Sequence, residues 1–179
     1  MKKITLVALF FIGHIAVTQN KMVARDGQIT FEASVPHYEP IKADNKKVKV
    51  TFDPRTKILE CIALVEDYDF ELDLMKKHFN ENYLESGRYP KAVFRGKIAD
   101  FDARNISDNP KEHIIVGKML LHGKAKQIAV KAIIKKTKDG FIITSNFVLN
   151  PDDFEIEIPS IFSKKVSKIV TTNLVATLQ

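Results

Sequence analysis

Apolar and polar residues alternate along most of this chain. Ile29, Phe31, Ala33 and Val35 take one parity, and Gln28, Thr30, Glu32 and Ser34 take the other. Val48, Val50 and Phe52 alternate with Lys47, Lys49 and Thr51, and Ala92, Phe94, Gly96 and Ile98 alternate with Val93, Arg95 and Lys97. A period of two with one apolar face predicts half-buried strands. Similar text runs over 113–122, 124–136, 140–149 and 166–178. Asp53-Pro54, Asn109-Pro110, His122-Gly123, Asp139-Gly140 and Asn150-Pro151 separate these segments as turns.

One segment has a different period. Between Leu72 and Leu84 the apolar residues Leu72, Met75, Phe79 and Tyr83 are spaced by three and four. That spacing puts them on one face of an amphipathic helix, which Gly87 and Tyr89-Pro90 terminate. About eight or nine strands with a single helix predict a mainly β fold: a closed antiparallel β-barrel with the helix near one opening. Closure removes edge strands that would otherwise aggregate.

The charged face decides which side of the barrel meets water. Lys47, Lys49, Arg95, Lys97, Lys124 and Lys126 share the polar parity. A barrel in an outer membrane would turn its apolar face to lipid and crowd these cations into a narrow lumen. A Lys or Arg facing lipid costs about 2–4 kcal/mol at mid-bilayer. The apolar face therefore points inward. Composition agrees with a soluble globular class, at 45% apolar and 28% charged residues. The chain has 12 phenylalanines and no tryptophan, and a core rich in phenylalanine buries area without a polar handle to satisfy.

The N-terminus predicts export. Met1-Lys2-Lys3 is a basic start, Ile4 to Val17 is a nearly unbroken apolar run, and small residues follow at Ala16 and Thr18. This is the layout of a signal peptide over residues 1–18, leaving a single domain over 19–179 in the periplasm or outside the cell. The run is short for a membrane anchor, which needs about 20 apolar residues. Cleavage would remove Lys2 and Lys3 and no acid, taking the formal charge from +6 to +4. No integral span is expected in the mature chain. No basic run is interleaved with aromatics, so nucleic acid is not an expected partner. A lone cysteine, Cys61, excludes an internal disulfide framework and reads as a buried small hydrophobe.

No catalytic constellation is present in the sequence. His37, His78, His113 and His122 have no metal-ligand spacing. There is no G-x-S-x-G elbow, and Asp152-Asp153 after Pro151 read as turn residues. The chain reads as a non-enzyme with no metal and no cofactor.

Three blocks carry a family resemblance. Met75-Lys76-Lys77-His78-Phe79-Asn80-Glu81-Asn82-Tyr83-Leu84-Glu85-Ser86, followed by Tyr89-Pro90-Lys91-Ala92-Val93-Phe94-Arg95-Gly96-Lys97-Ile98, resembles the helix-to-strand block of the YceI-like, lipid or polyisoprenoid-binding family. Val116 to Lys126 is similar to that family's hairpin, and Phe147 with Asp153-Phe154 resembles its closing signal. Met119, Leu120, Ala125 and Glu155 depart from the family's usual residues without removing a charge or a catalytic group. The resemblance implies a lipocalin-like barrel that holds a polyisoprenoid, an isoprenoid quinone or a fatty-acid derivative as carrier or store.

On that reading the lining comprises Phe31, Val50, Phe52, Leu72, Met75, Phe79, Phe94, Ile98, Met119, Leu121, Ile134, Ile143 and Phe147. His78, Tyr83 and Tyr89 would supply polar contacts at the mouth. Alternation alone does not separate a cavity from a filled core. The other reading is a non-catalytic interaction or stress protein whose barrel is packed solid. A homodimer is left open, since no residue argues for it.

Overall fold

A computed structural model describes residues 21–179; the expected signal peptide lies outside the described residues. Nine strands form one antiparallel sheet: β1 (Met22–Glu32), β2 (Lys42–Asp53), β3 (Ile58–Leu64), β4 (Asp69–Phe70), β5 (Lys91–Ile98), β6 (Lys111–Leu121), β7 (Lys124–Lys136), β8 (Phe141–Leu149) and β9 (Val170–Leu178). The eight long strands close into a ring, because β1 pairs with both β9 and β2. β4 is a two-residue addition beside Ala43 and Asp44 of β2. The expected closed eight-strand barrel is the observed one.

Local chemistry fixes the ladder. Leu121 pairs with Lys124 across a two-residue turn in which His122 and Gly123 both have positive φ, at 49° and 71°. Two positive φ values match the twist of the flanking strands. Gly96 of β5 and Gly117 of β6 lie directly opposite each other. A Cβ on Gly117 would land on the Gly96 Cα and the Arg95 carbonyl. We expect Gly117→Ala to cost about 1–3 kcal/mol, as overpacking does, measured as a lower denaturant midpoint.

Two expectations need adjusting. The strand expected over 166–178 starts only at Val170; residues before it form a loop with a 3-10 turn at Ser160–Phe162. The helix expected over 72–84 is α1 (Asp73–His78), which continues as a π-helical turn over Phe79–Tyr83. The wider turn closes with the Leu84 amide donating to the Phe79 carbonyl at 2.9 Å. The extra residue brings both Tyr83 and the buried Leu84 round to the barrel side.

The interior is filled at one end only. Around the β2–β3, β5–β6 and β7–β8 connections, Phe52, Ile98, Phe101, Ile106, Ile134, Phe141 and Leu178 pack into a solid plug. Phe101 meets Phe52 edge-on at 4.7 Å and Phe141 at 6.0 Å. Inward residues of β3 then shrink along the strand, from Leu59 to Cys61 to Ala63. Ala63 pairs with Ala92 of β5, so the wall recedes where the plug ends.

Candidate functional site: a one-ended apolar cavity

A cavity of about 600 Å³ occupies the other half of the barrel. Ala33, Ala63 and Ala92 make room for it, and Phe31, Phe94, Ile128 and Phe147 face it. These four point inward yet stay only partly buried, because the space they face is open. The cavity wall is almost wholly apolar. Ser145 and Thr172 are its buried polar side chains, and the Ser145 hydroxyl is already donated to the Lys131 carbonyl at 2.6 Å.

Four connections surround the mouth. The β1–β2 loop contributes Tyr38, Glu39 and Ile41, and the β4–β5 connection contributes Leu72, Leu74, Met75, His78, Phe79 and Tyr83. Leu121 comes from the β6–β7 hairpin, and Phe154, Ile156, Phe162 and Lys165 come from the β8–β9 connection. Phe79 holds the helical segment against the rim. Its ring stacks on Phe31 at 5.4 Å and meets Phe70 at 5.0 Å and Tyr68 at 5.7 Å. Such aromatic pairs add about 0.5–1.5 kcal/mol each beyond burial.

The structure sorts the expected lining in two. Phe31, Leu72, Met75, Phe79, Phe94, Met119, Leu121, Ile143 and Phe147 border the cavity, as do His78 and Tyr83. Val50, Phe52, Ile98 and Ile134 do not: each is fully buried in the plug, because strand parity gives the inward face but not the depth. Tyr89 lies outside the mouth, packed edge-on against His122 at 4.8 Å. The Arg88 guanidinium sits 5.1 Å over the Tyr89 ring.

His122 carries more than a turn. Its Nδ1 lies 3.1 Å from the Phe154 carbonyl and its Nε2 3.0 Å from Glu85 Oε2. The ring thus ties the hairpin tip to Glu85, just past the helical segment over 73–83, and to the turn at Pro151–Phe154. That turn is capped by Asn150, whose side chain accepts from the Asp152 amide at 3.0 Å. Lys124 and Lys126 pair with Glu155 and Asp153 on its outer side. Sequence reading took His122 for a turn residue alone. Its place between two chain-reversing connections was the missed signal.

Titration within the cavity follows burial. Burial pushes the Cys61 thiol up to about 12 and raises the Tyr68 and Tyr83 hydroxyls. Neutral forms are therefore favoured along the wall. Cys61 is expected not to react with a thiol-specific disulfide reagent at pH 8 until denaturant is added, since the thiolate is the nucleophile. Rapid labelling of the native protein would contradict this placement. At the plug end, burial lowers His113, which sits 6.4 Å from the Phe101 ring. Among the described residues no three His, Cys, Asp or Glu side chains gather closely enough to hold a metal.

Comparison with known proteins supports the same architecture. A polyisoprenoid binding domain from Saccharophagus degradans, implicated in plant cell wall breakdown, matches with TM-score 0.78 at 10% identity, over 89% of this chain and 97% of that one. Burkholderia cenocepacia BcnA matches with TM-score 0.67 at 19% identity, over 84% and 96%. The Campylobacter jejuni YCEI protein matches with TM-score 0.53 at 19% identity, over 100% and 98%. At these identities the likeness establishes the fold. No curated protein matches by sequence. A family model described as a YceI-like domain matches residues 8–178, nearly the whole chain, and this protein belongs to the YceI-like family.

Proposed function

We propose that this protein is an exported, non-catalytic binding protein. It holds one long apolar or amphiphilic chain, such as a polyisoprenoid, an isoprenoid quinone or a fatty-acid derivative, as carrier or store. The observation that carries this reading is the apolar cavity of about 600 Å³ with a single lidded mouth. Taking roughly 30 Å³ per chain carbon, the share one water takes in the liquid, that is room for a chain of about twenty carbons. Burial contributes about 0.8 kcal/mol per CH₂, so the tail needs no directed polar contact.

His78, Tyr83 and Lys165 border the mouth, where a polar head group would rest. The named polyisoprenoid-binding relative supports the ligand class. Family membership supports a binding protein over an enzyme, and the Ser145 hydroxyl is engaged with backbone rather than with a base. Export rests on the basic start and apolar run over residues 1–17. No helix among the described residues is long and apolar enough to cross a membrane.

Native mass spectrometry of the purified protein, followed by organic extraction, tests the reading. A bound lipid released on extraction is expected, or uptake of a quinone or long-chain amide by the stripped protein. No lipid and no uptake would overturn it.

A further inference from the structure

The second half of the β8–β9 connection, from Ser160 onward, has a composition unlike the other rims of the mouth. From Ser160 to the C-terminus the chain has no acid, while Lys164, Lys165 and Lys168 fall within nine residues. Ile161 and Ile169 flank these lysines and are 75% and 66% exposed, the two most exposed large apolar side chains among the described residues. Lys168 is paired with Asp152 at 2.7 Å. Lys165 lies 6.0 Å over the Tyr38 ring, and Lys164 has no acidic partner among the described residues. Glu39, Glu71 and Asp73 lie on the other connections. The acids of the β8–β9 connection itself, Asp152, Asp153, Glu155 and Glu157, all precede Ser160, the first three being paired with Lys168, Lys126 and Lys124. The loop also runs into the cavity, since Phe162, Lys165 and Val166 line it.

We propose that the 160–169 loop is a membrane-docking lip that seats the cavity mouth on an anionic lipid surface. Two protruding isoleucines suit the boundary between head groups and acyl chains, and the lysines suit anionic head groups. A chain leaving the bilayer at this lip would pass along Phe162 and Val166 into the barrel without crossing open water. The inference rests on the lipid-binding reading and adds where the ligand is exchanged.

Vesicle flotation tests it, using phosphatidylglycerol–phosphatidylcholine vesicles and pure phosphatidylcholine vesicles. The wild-type protein is expected to float with the anionic vesicles, and less so at high salt because screening weakens the lysines. Ile161→Ser with Ile169→Ser is expected to cut partitioning at least tenfold, and Lys164→Glu about fivefold or more. Neither variant touches the cavity wall. Equilibrium binding of a quinone delivered from cyclodextrin should therefore be unchanged in both, while transfer from donor vesicles slows.

The lip is overturned if the wild type does not float, or if the variants float as it does. It is also overturned if light scattering finds a dimer that the isoleucine variant dissociates, which would make a second copy the occupant. Quinone binding without flotation removes the lip and leaves the lipid-binding reading standing. Flotation without binding of any chain does the reverse.

Discussion

Ala63→Trp is expected to weaken binding of a long-chain ligand by about a hundredfold while the protein stays as stable as wild type. Ala63 is 1% exposed on the inner face of β3 and borders the cavity. Its cross-strand neighbour Ala92 is equally small, so an indole would project into open space rather than into packed atoms. Displacing four chain carbons forfeits about 3 kcal/mol at ~0.8 kcal/mol each, or about a hundredfold in Kd. Filling a void with apolar atoms in turn favours the folded state. Fluorescence titration with a displaceable long-chain probe reads the first effect, and thermal denaturation the second. Unchanged affinity would mean that the chain does not occupy the space beside Ala63.

Phe52→Ala is expected to show the opposite pattern. Phe52 is wholly buried, packs edge-on against Phe101 at 4.7 Å, and has no surface on the cavity. Truncating a phenylalanine in a close-packed core costs about 3–5 kcal/mol. For a domain of this size each kcal/mol lowers Tm by roughly 2–4 °C, so a fall of roughly 10 °C or more is expected. Ligand affinity at a temperature where the variant is folded should be unchanged. A large loss of affinity with little loss of stability would contradict the division into plug and cavity.

The two substitutions separate what the sequence could and could not convey. Alternation located seven of the eight long strands, all but β3 (Ile58–Leu64), because a barrel with one wet and one dry face imposes period two on its strands. Turn residues placed most boundaries correctly, and His122-Gly123 also fixed the register of β6 and β7. Parity gives the face of a residue and not its height on the barrel axis. Val50, Phe52, Ile98 and Ile134 therefore looked the same as Phe31 and Phe147, although the first four belong to the plug.

A signal for height was present in side-chain size. Leu59, Cys61 and Ala63 taper along β3, and small residues recur at Ala33 and Ala92. The taper gains meaning only once the strands are aligned around the barrel, which a single chain read in order does not supply. The helix was legible from the spacing of Leu72, Met75, Phe79 and Tyr83. Its π-helical turn was not, since that depends on how the segment seats against Phe31 and Tyr68. The end of the loop, residues 166–169, was misread as the start of β9 because Val166, Ile169 and Val170 imitate strand text. Two of those three sit at or near the rim rather than in the ladder.

The plug gives the barrel a direction. A tube open at both ends would let a chain thread through and emerge from the far side. Here Phe52, Phe101 and Phe141 stop it, so entry and exit are one event run forwards and backwards. On the lipid-binding reading proposed above, a guest would go in tail first and come out head first, with no route for a newcomer to push it out from behind. Exchange between two guests would then require an empty interval, and the dwell time of the outgoing molecule would set the turnover of the whole pool.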